Sequence, residues 1–271
     1  MTKRVGFLLV GHGTRNIAGQ QQFRKVFAQF AERISPELAE LAFLELASPN
    51  IATAIGQLAA RGATHVVTVP VLLFAAGHAV RDIPVAVAQA AQQCGLKCVG
   101  QASPFELSPQ VLELSALRFR QAVCHAASTP SCFERCEGQL CPQIGLALIG
   151  RGSRSDEATE RMRQFALLRR HFTPVARLEV GFVFAQRPTV EECLQRMADS
   201  DCHTVVIQPH LLFEGELVEQ LRGQVADFAK RYSQLHWLVT ETIGTDFAQG
   251  RSLADSLTTL ARQVVDCGES G

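Results

Sequence analysis

Short apolar runs and amphipathic stretches alternate along the first half of the chain. Residues 5–10, VGFLLV, form an apolar run that ends at a glycine, which is typical of a strand buried on both faces of a parallel sheet. Between residues 17 and 34 the apolar side chains recur mostly at helical spacing, and Asn16 before them is a suitable N-cap. Further strand-like runs occur at residues 41–46, 66–69 and 97–99. This alternation predicts a doubly wound α/β unit with a parallel sheet.

The second half of the chain repeats motifs of the first half at one constant offset. Gly11, Gly13 and Arg15 recur 139 positions later, at Gly150, Gly152 and Arg154. At the same offset FLELASP (43–49) aligns with FVFAQRP (182–188), and HVVTVPVLLF (65–74) aligns with TVVIQPHLLF (204–213). Three matches in a single ungapped register indicate an internal duplication.

The duplication predicts two doubly wound α/β lobes. The segment HAASTPSCFERCEGQLCP (125–142) is rich in Ser, Pro and Cys and has no clear periodicity, so we interpret it as a linker. We therefore expect an N-terminal lobe at 1–123, a cysteine-containing linker at 124–142 and a C-terminal lobe at 143–271. The loops that follow parallel strands form the ligand face of such units, so the two lobes are expected to present their repeated motifs to one cleft.

Composition and charge exclude several classes of protein. The 26 basic and 26 acidic residues give a formal net charge of +0, which argues against a general nucleic-acid or anionic-membrane binder. No apolar stretch approaches the ~20 residues that span a bilayer. The N-terminal apolar run, about six residues long, is too short for a signal peptide. We therefore expect a cytoplasmic protein whose nine cysteines are thiols or metal ligands and not disulfides.

Two histidines and a carboxylate follow three predicted strands of the first half. His12 lies in a Gly-x-Gly turn after the first strand, Glu45 at the end of the second, and His78 after the third. This set suits a borderline divalent metal such as cobalt, iron, nickel or zinc, and imidazole also transfers protons near neutral pH. In the duplicate the three positions carry Arg151, Phe184 and Leu217. The first lobe is therefore predicted to hold a metal or acid–base site that the second lobe lacks.

Arginines lie on the same loops as these residues, and they are Arg15, Arg81, Arg151 and Arg154. Arginine suits bidentate binding of carboxylate or phosphate, so these four are candidate contacts for an anionic ligand, with one or two expected to be ordinary surface residues. His210, within the PHLLF sequence of the second half, is a weaker candidate for the cleft. Three further histidines at predicted strand starts are interpreted as structural: His65, His203 and His236.

Four cysteines lie in or beside the predicted linker with the spacing C-x7-C-x3-C-x4-C, and they are Cys124, Cys132, Cys136 and Cys141. This spacing matches neither a zinc ribbon nor a standard ferredoxin run. Four thiols so close together could hold an iron–sulfur cluster or zinc. We expect free thiols in a flexible linker instead.

Other uses of the glycine-rich turns have less support. A dinucleotide fingerprint requires a third glycine where Asn16 stands. The sequence contains neither Gly-x-x-x-x-Gly-Lys-Ser/Thr nor Gly-x-Ser-x-Gly, which argues against P-loop nucleotide hydrolysis and against an α/β-hydrolase.

The sequences LLVGHGTR (8–15), FLELASPNI (43–51) and VPVLLFAAGHAVRDIP (69–84) resemble those of the CbiX-type class II tetrapyrrole chelatases, which insert cobalt or iron into sirohydrochlorin. The resemblance covers both halves and indicates the long form of the family, in which duplication fuses two lobes. It implies two flavodoxin-like lobes around a cleft. It also implies metal delivery and proton acceptance by His12 and His78, assisted by Glu45.

The resemblance further implies a tetrapyrrole substrate and Co²⁺ or Fe²⁺ as the metal substrate, and we expect cobalt, for cobalamin biosynthesis. Sirohydrochlorin carries eight carboxylates, which gives the four loop arginines a role. Because fused lobes would bury each other's cleft face, a monomer or weak homodimer is expected. Three alternatives stay open: a ferrochelatase for siroheme, a metal or tetrapyrrole carrier without turnover, and a small-molecule enzyme that binds phosphate at the glycine-rich turns.

Overall fold

A computed structural model describes residues 3–75, 78–126, 141–245 and 252–269 of the chain, without the side chains of 78–80, 125–126, 141–142 and 268–269. The chain forms two compact units. Unit 1 comprises Met1–Glu106 and Asp246–Gly271, and unit 2 comprises Leu107–Thr245.

Unit 1 contains a parallel sheet with the strand order β2-β1-β3-β4. The strands are β1 (Val5–Gly11), β2 (Leu38–Phe43), β3 (His65–Val71) and β4 (Lys97–Gln101). Gly11, the last residue of β1, is in register with Phe43 of β2 on one side and with Val71 of β3 on the other. The carboxyl ends of these three strands therefore lie side by side, and the loops that follow them begin at the same edge of the sheet.

Three helices connect these strands, namely α1 (Ile17–Ile34), α2 (Ile51–Ala60) and α3 (His78–Cys94). Asn16 caps α1 as its sequence position predicts, because its side chain accepts a hydrogen bond from the Gly19 amide. Leu8 and Val10 of β1 are fully buried among apolar residues of α2 and α3. Burial of the strand by helices explains why its sequence is a continuous apolar run.

Unit 2 contains a second parallel sheet with the equivalent order, β6-β5-β7-β8. Its strands are β5 (Cys141–Gly150), β6 (Val175–Phe182), β7 (Thr204–His210) and β8 (His236–Val239). The connecting helices are α5 (Asp156–Phe172), α6 (Val190–Ala198) and α7 (Glu216–Arg231). The shared strand order confirms that each half of the sequence supplies the four strands of a doubly wound α/β unit, as the duplication predicts.

The last helix of each sequence repeat packs on the sheet that the other repeat forms. These helices are α4 (Pro109–Ala126) and α8 (Leu253–Glu269). Phe119 of α4 is buried with Val206 of β7 in unit 2. In unit 1, Asp255 of α8 forms an ion pair with Arg33 of α1 at 2.6 Å.

Because of the exchange of these helices, the compact units do not coincide with the two sequence repeats. The sequence places one lobe at 1–123 and the other at 143–271, whereas the compact units divide after Glu106 and after Thr245. Both ends of the linker predicted at 124–142 belong to secondary structure, because α4 extends to Ala126 and β5 begins at Cys141. Two amphipathic helices of similar length can cover either sheet, so the repeat alone does not determine which sheet each one covers.

The second strand also ends earlier than predicted. The apolar run suggests a strand at 41–46, but β2 covers Leu38–Phe43. The chain turns at Leu46, whose φ is +64°, so the last residues of the predicted run lie in the loop after the strand.

No helix among the described residues is long and apolar enough to cross a membrane. Cys132 and Cys136, and the side chain of Cys141, lie outside the residues described. The cysteine site therefore stays a prediction.

Candidate active site

The loops that follow β1 and β2 run together at the carboxyl edge of the unit 1 sheet. The Leu44 amide donates to the Gly11 carbonyl at 2.8 Å, and the Glu45 amide donates to the His12 carbonyl at 3.0 Å. These bonds continue the parallel pairing beyond the last strand residues. As a result, His12 and Glu45 lie next to each other.

Gly13 allows this close approach of the two loops. Its φ is +102°, in the region that favours glycine, and a Cβ added there would lie 1.8 Å from the Glu45 carbonyl oxygen. Any other residue would therefore push the Glu45 loop away. The second glycine of the Gly-His-Gly sequence thus positions Glu45 next to His12, which is a structural reason for the motif.

The His12 and Glu45 side chains are in direct contact. His12 Nε2 lies 3.0 Å from Glu45 Oε1, and the two side chains are 41% and 55% exposed. Nitrogen and oxygen atoms that bind one first-row ion at about 2.1 Å each, at angles of about 90–110°, lie about 3.0–3.4 Å apart. The 3.0 Å separation is that of a hydrogen bond, and it lies at the lower end of the range for two ligands of one ion. The exposure of the pair leaves room for substrate to approach and for an ion to leave.

His78 is the first residue of α3, which follows β3 in the sheet position next to β1. Its side chain is not among those described. Among the described side chains no group of three His, Cys, Asp or Glu residues is placed to hold a metal ion. The structure thus brings together two of the three predicted residues, and the participation of His78 stays a prediction.

Two residues of α1 that sequence analysis missed support the loops of the site. Gln20 Nε2 donates to the Thr14 carbonyl, two residues beyond His12 in the chain, at 2.9 Å. Arg24 Nη2 donates to the Ser48 carbonyl at 2.6 Å, and its guanidinium lies 5.7 Å from the centroid of the Phe43 ring. These bonds attach both loops to the same helix. Neither residue belongs to a recognisable motif, so the sequence contains no signal for this role.

The four candidate arginines are divided between the units. Arg15 and Arg81 are exposed in unit 1, while Arg151 and Arg154 are exposed in unit 2. None of the four forms an ion pair with a described residue. Their guanidinium groups are therefore open to solution, where a carboxylate or phosphate can reach them.

His210 is a core residue, which contradicts its placement as a cleft candidate. It is 2% exposed at the end of β7, and its ring centroid lies 4.1 Å from that of Phe165. Burial, and to a lesser extent the Arg169 guanidinium, lowers the pKa of His210 to about 3. The imidazole is therefore neutral at physiological pH and packs as an aromatic ring.

The burial of His210 predicts a loss of stability in acid. An unfolded histidine takes up a proton at a pH near 6.5, whereas folded His210 does so only near pH 3. The free energy of unfolding should therefore decrease as the pH falls from about 6.5 toward 3, by up to ~1.4 kcal/mol per pH unit. Urea titrations at several pH values would measure this slope.

His210→Val should reduce the acid sensitivity, because it removes the buried imidazole. Valine should fit this site, since Val71 fills the equivalent position in unit 1. The exposed His203 provides the matched control, and His203→Gln should leave the slope unchanged. Equal slopes for wild type and His210→Val would show that His210 does not titrate in this way.

The fold and the site together define a class of protein. It is an internally duplicated, doubly wound α/β protein with an exposed histidine–carboxylate pair at the strand ends of one unit. The family model CbiX matches residues 6–122 and 145–259, so the chain belongs to the CbiX family.

Named relatives agree with this membership. The chain is 28% identical over 218 residues to a sirohydrochlorin ferrochelatase of Bacillus subtilis. The aligned residues cover 80% of this chain and 78% of the relative. It is 24% identical over 242 residues to a sirohydrochlorin cobaltochelatase of Priestia megaterium, covering 88% and 74% of the two chains. The structure of SirB from Bacillus subtilis with Fe³⁺ matches with a TM-score of 0.80 and 25% identity over 98% of both chains.

Proposed function

We propose that this protein is a sirohydrochlorin chelatase, which inserts Co²⁺ or Fe²⁺ into a polycarboxylate tetrapyrrole without ATP. The observation that carries the proposal is the contact between His12 and Glu45, on loops whose backbone is shaped to bring them together. Relatives named as ferrochelatase and as cobaltochelatase support the same reaction class.

The reaction needs a base next to an exchangeable ion. When a divalent metal enters the macrocycle, two pyrrole N–H protons leave, so charge and atoms balance as one M²⁺ in and two H⁺ out. Once the ion has left for the macrocycle, the His12 imidazole is the proposed acceptor of a pyrrole proton, and the Glu45 carboxylate next to it would stabilise the resulting imidazolium. A ligand set of His12, Glu45 and His78 with open positions would hold the ion without trapping it.

The substrate is held through its carboxylates. Arg15, Arg81, Arg151 and Arg154 are the proposed contacts, since guanidinium pairs with carboxylate in a bidentate manner. We further propose a monomer or weak homodimer in the cytoplasm, with free thiols at the linker cysteines. Cobalt, for cobalamin biosynthesis, is the metal we expect, and iron for siroheme is the alternative that the same ligands accept.

An anaerobic absorbance assay tests this function. Purified protein is mixed with sirohydrochlorin and Co²⁺, Fe²⁺ or Ni²⁺, and we expect many metallated macrocycles per protein chain, with Co²⁺ fastest. A carrier of the same fold would stop at one macrocycle per chain or fewer. Rates equal to the protein-free control with every metal would rule out the chelatase.

A further inference from the structure

The loops at the strand ends of unit 2 keep the backbone of the His12–Glu45 loops. The Phe184 amide donates to the Arg151 carbonyl at 2.9 Å, as the Glu45 amide does to His12 in unit 1. Gly152 has a φ of +84°, and a Cβ there would lie 1.8 Å from the Phe184 carbonyl oxygen. The Arg151 and Phe184 side chains therefore start from the same backbone positions as those of His12 and Glu45.

The side chains on this conserved backbone have changed in chemical type. A metal-binding pair has been replaced by a guanidinium and a benzyl group, and Arg154 adds a second positive charge on the same loop as Arg151. The loops of unit 2 therefore cannot hold a divalent ion in the way proposed for unit 1. They present instead a positively charged surface with an aromatic ring.

The Phe184 side chain is far more exposed than the phenylalanines that end the two neighbouring strands. Its exposed fraction is 54%, whereas Phe43 and Phe182, which end the strands before the two loops, are both 2% exposed. A single exposed apolar residue is common on protein surfaces. Phe184 is distinguished by its place, next to Arg151 on the copy of a functional loop.

We propose that Phe184, Arg151 and Arg154 form a tetrapyrrole-binding surface on unit 2, which we call the stacking surface. The Phe184 ring packs against the flat conjugated face of the macrocycle, and the two arginines bind its carboxylates. This inference rests on the proposed function for the identity of the ligand. It adds recognition of the flat ring to recognition of the carboxylates.

The chemistry of the stacking surface favours a planar polyanion. Aromatic rings prefer offset stacking on other conjugated rings, and arginine combines bidentate carboxylate binding with stacking on such rings. A flexible polycarboxylate would use the arginines but gain little from Phe184. A planar macrocycle with carboxylates at its edge uses all three residues.

Two metal-free probes separate stacking from charge. Uroporphyrin is a planar macrocycle with eight carboxylates, and uroporphyrinogen carries the same carboxylates on a ring that is not planar. Binding of each to the full-length protein is measured anaerobically, by quenching of intrinsic fluorescence or by equilibrium dialysis. We expect wild type to bind the planar probe more tightly.

Phe184→Ala should raise the Kd for uroporphyrin by about five- to tenfold and change the Kd for uroporphyrinogen little. Phe184→Trp should keep the preference for the planar probe. Arg151→Ala should weaken both probes by similar factors. Phe172→Ala is the matched control, since Phe172 is an exposed phenylalanine at the opposite end of α5, and it should leave both Kd values unchanged.

The inference and the proposed function can fail separately. If Phe184→Ala binds uroporphyrin as wild type does while sirohydrochlorin is still metallated, the stacking surface is wrong and the chelatase stands. If Phe184→Ala loses the preference for the planar probe but wild type inserts no metal into any macrocycle, the stacking surface stands and the chelatase is wrong. Displacement of uroporphyrin by equimolar ATP would overturn the inference in favour of a nucleotide site.

Discussion

His12→Ala is expected to lower the rate of metal insertion by about 10²–10⁴-fold, the range for loss of a general base. The substitution removes the imidazole that lies 3.0 Å from Glu45 and is partly exposed, so little packing is lost with it. Single-turnover absorbance measurements with sirohydrochlorin and the preferred metal would give the rate. Thermal unfolding should stay close to that of wild type.

Two further variants make the comparison specific. Glu45→Gln should have a milder effect, because it removes a charge and leaves the base in place. Arg151→Ala changes the position in unit 2 that corresponds to His12, and it should act chiefly through KM, since a carboxylate contact stabilises ground state and transition state alike. Normal metallation by His12→Ala would remove the basis for the mechanism and leave the carrier as the better hypothesis.

Gly13→Ala is expected to cost at least ~3 kcal/mol of stability and to abolish most of the activity. The added methyl group would lie 1.8 Å from the Glu45 carbonyl oxygen, on a backbone with a φ of +102°. Strain of this backbone type costs of the order of 1–3 kcal/mol before any overlap is counted. Urea unfolding would measure the change, and the assay described above would measure the activity.

The duplication supplies the controls for this prediction. Gly152→Ala places the same overlap against Phe184 and should destabilise unit 2 by a similar amount. Gly56 lies in α2 with nothing within 4 Å of an added Cβ, so Gly56→Ala should be neutral or stabilising. Wild-type stability in Gly13→Ala would mean that the two loops do not approach as closely as described.

Several features of the fold follow directly from the order of apolar residues. The run at 5–10 becomes β1, which is buried by helices, and Asn16 caps α1. The repeat at a constant offset predicts a second sheet with the same strand order, and the structure has it. These features depend on local spacing and on register, both of which are written in the sequence.

The parallel arrangement of strands also brings the site residues together. Because β1 and β2 end in register, residues a short distance beyond each strand must be neighbours. His12 and Glu45 could therefore be paired from their positions alone. Their supports, Gln20 and Arg24, could not be identified, because each donates its hydrogen bond to a backbone carbonyl, and a backbone acceptor leaves no pattern of residue types.

By itself, the sequence determined the α/β class, the duplication, the family and the His12–Glu45 pair. Only the tertiary structure decided that α4 and α8 each cover the sheet formed by the other sequence repeat, that β2 ends at Phe43 and that His210 is buried. Local pattern specifies which face of a helix or strand is apolar, but not which partner covers that face. The partner is chosen by packing between segments far apart in the chain, where shape and burial act over the whole unit.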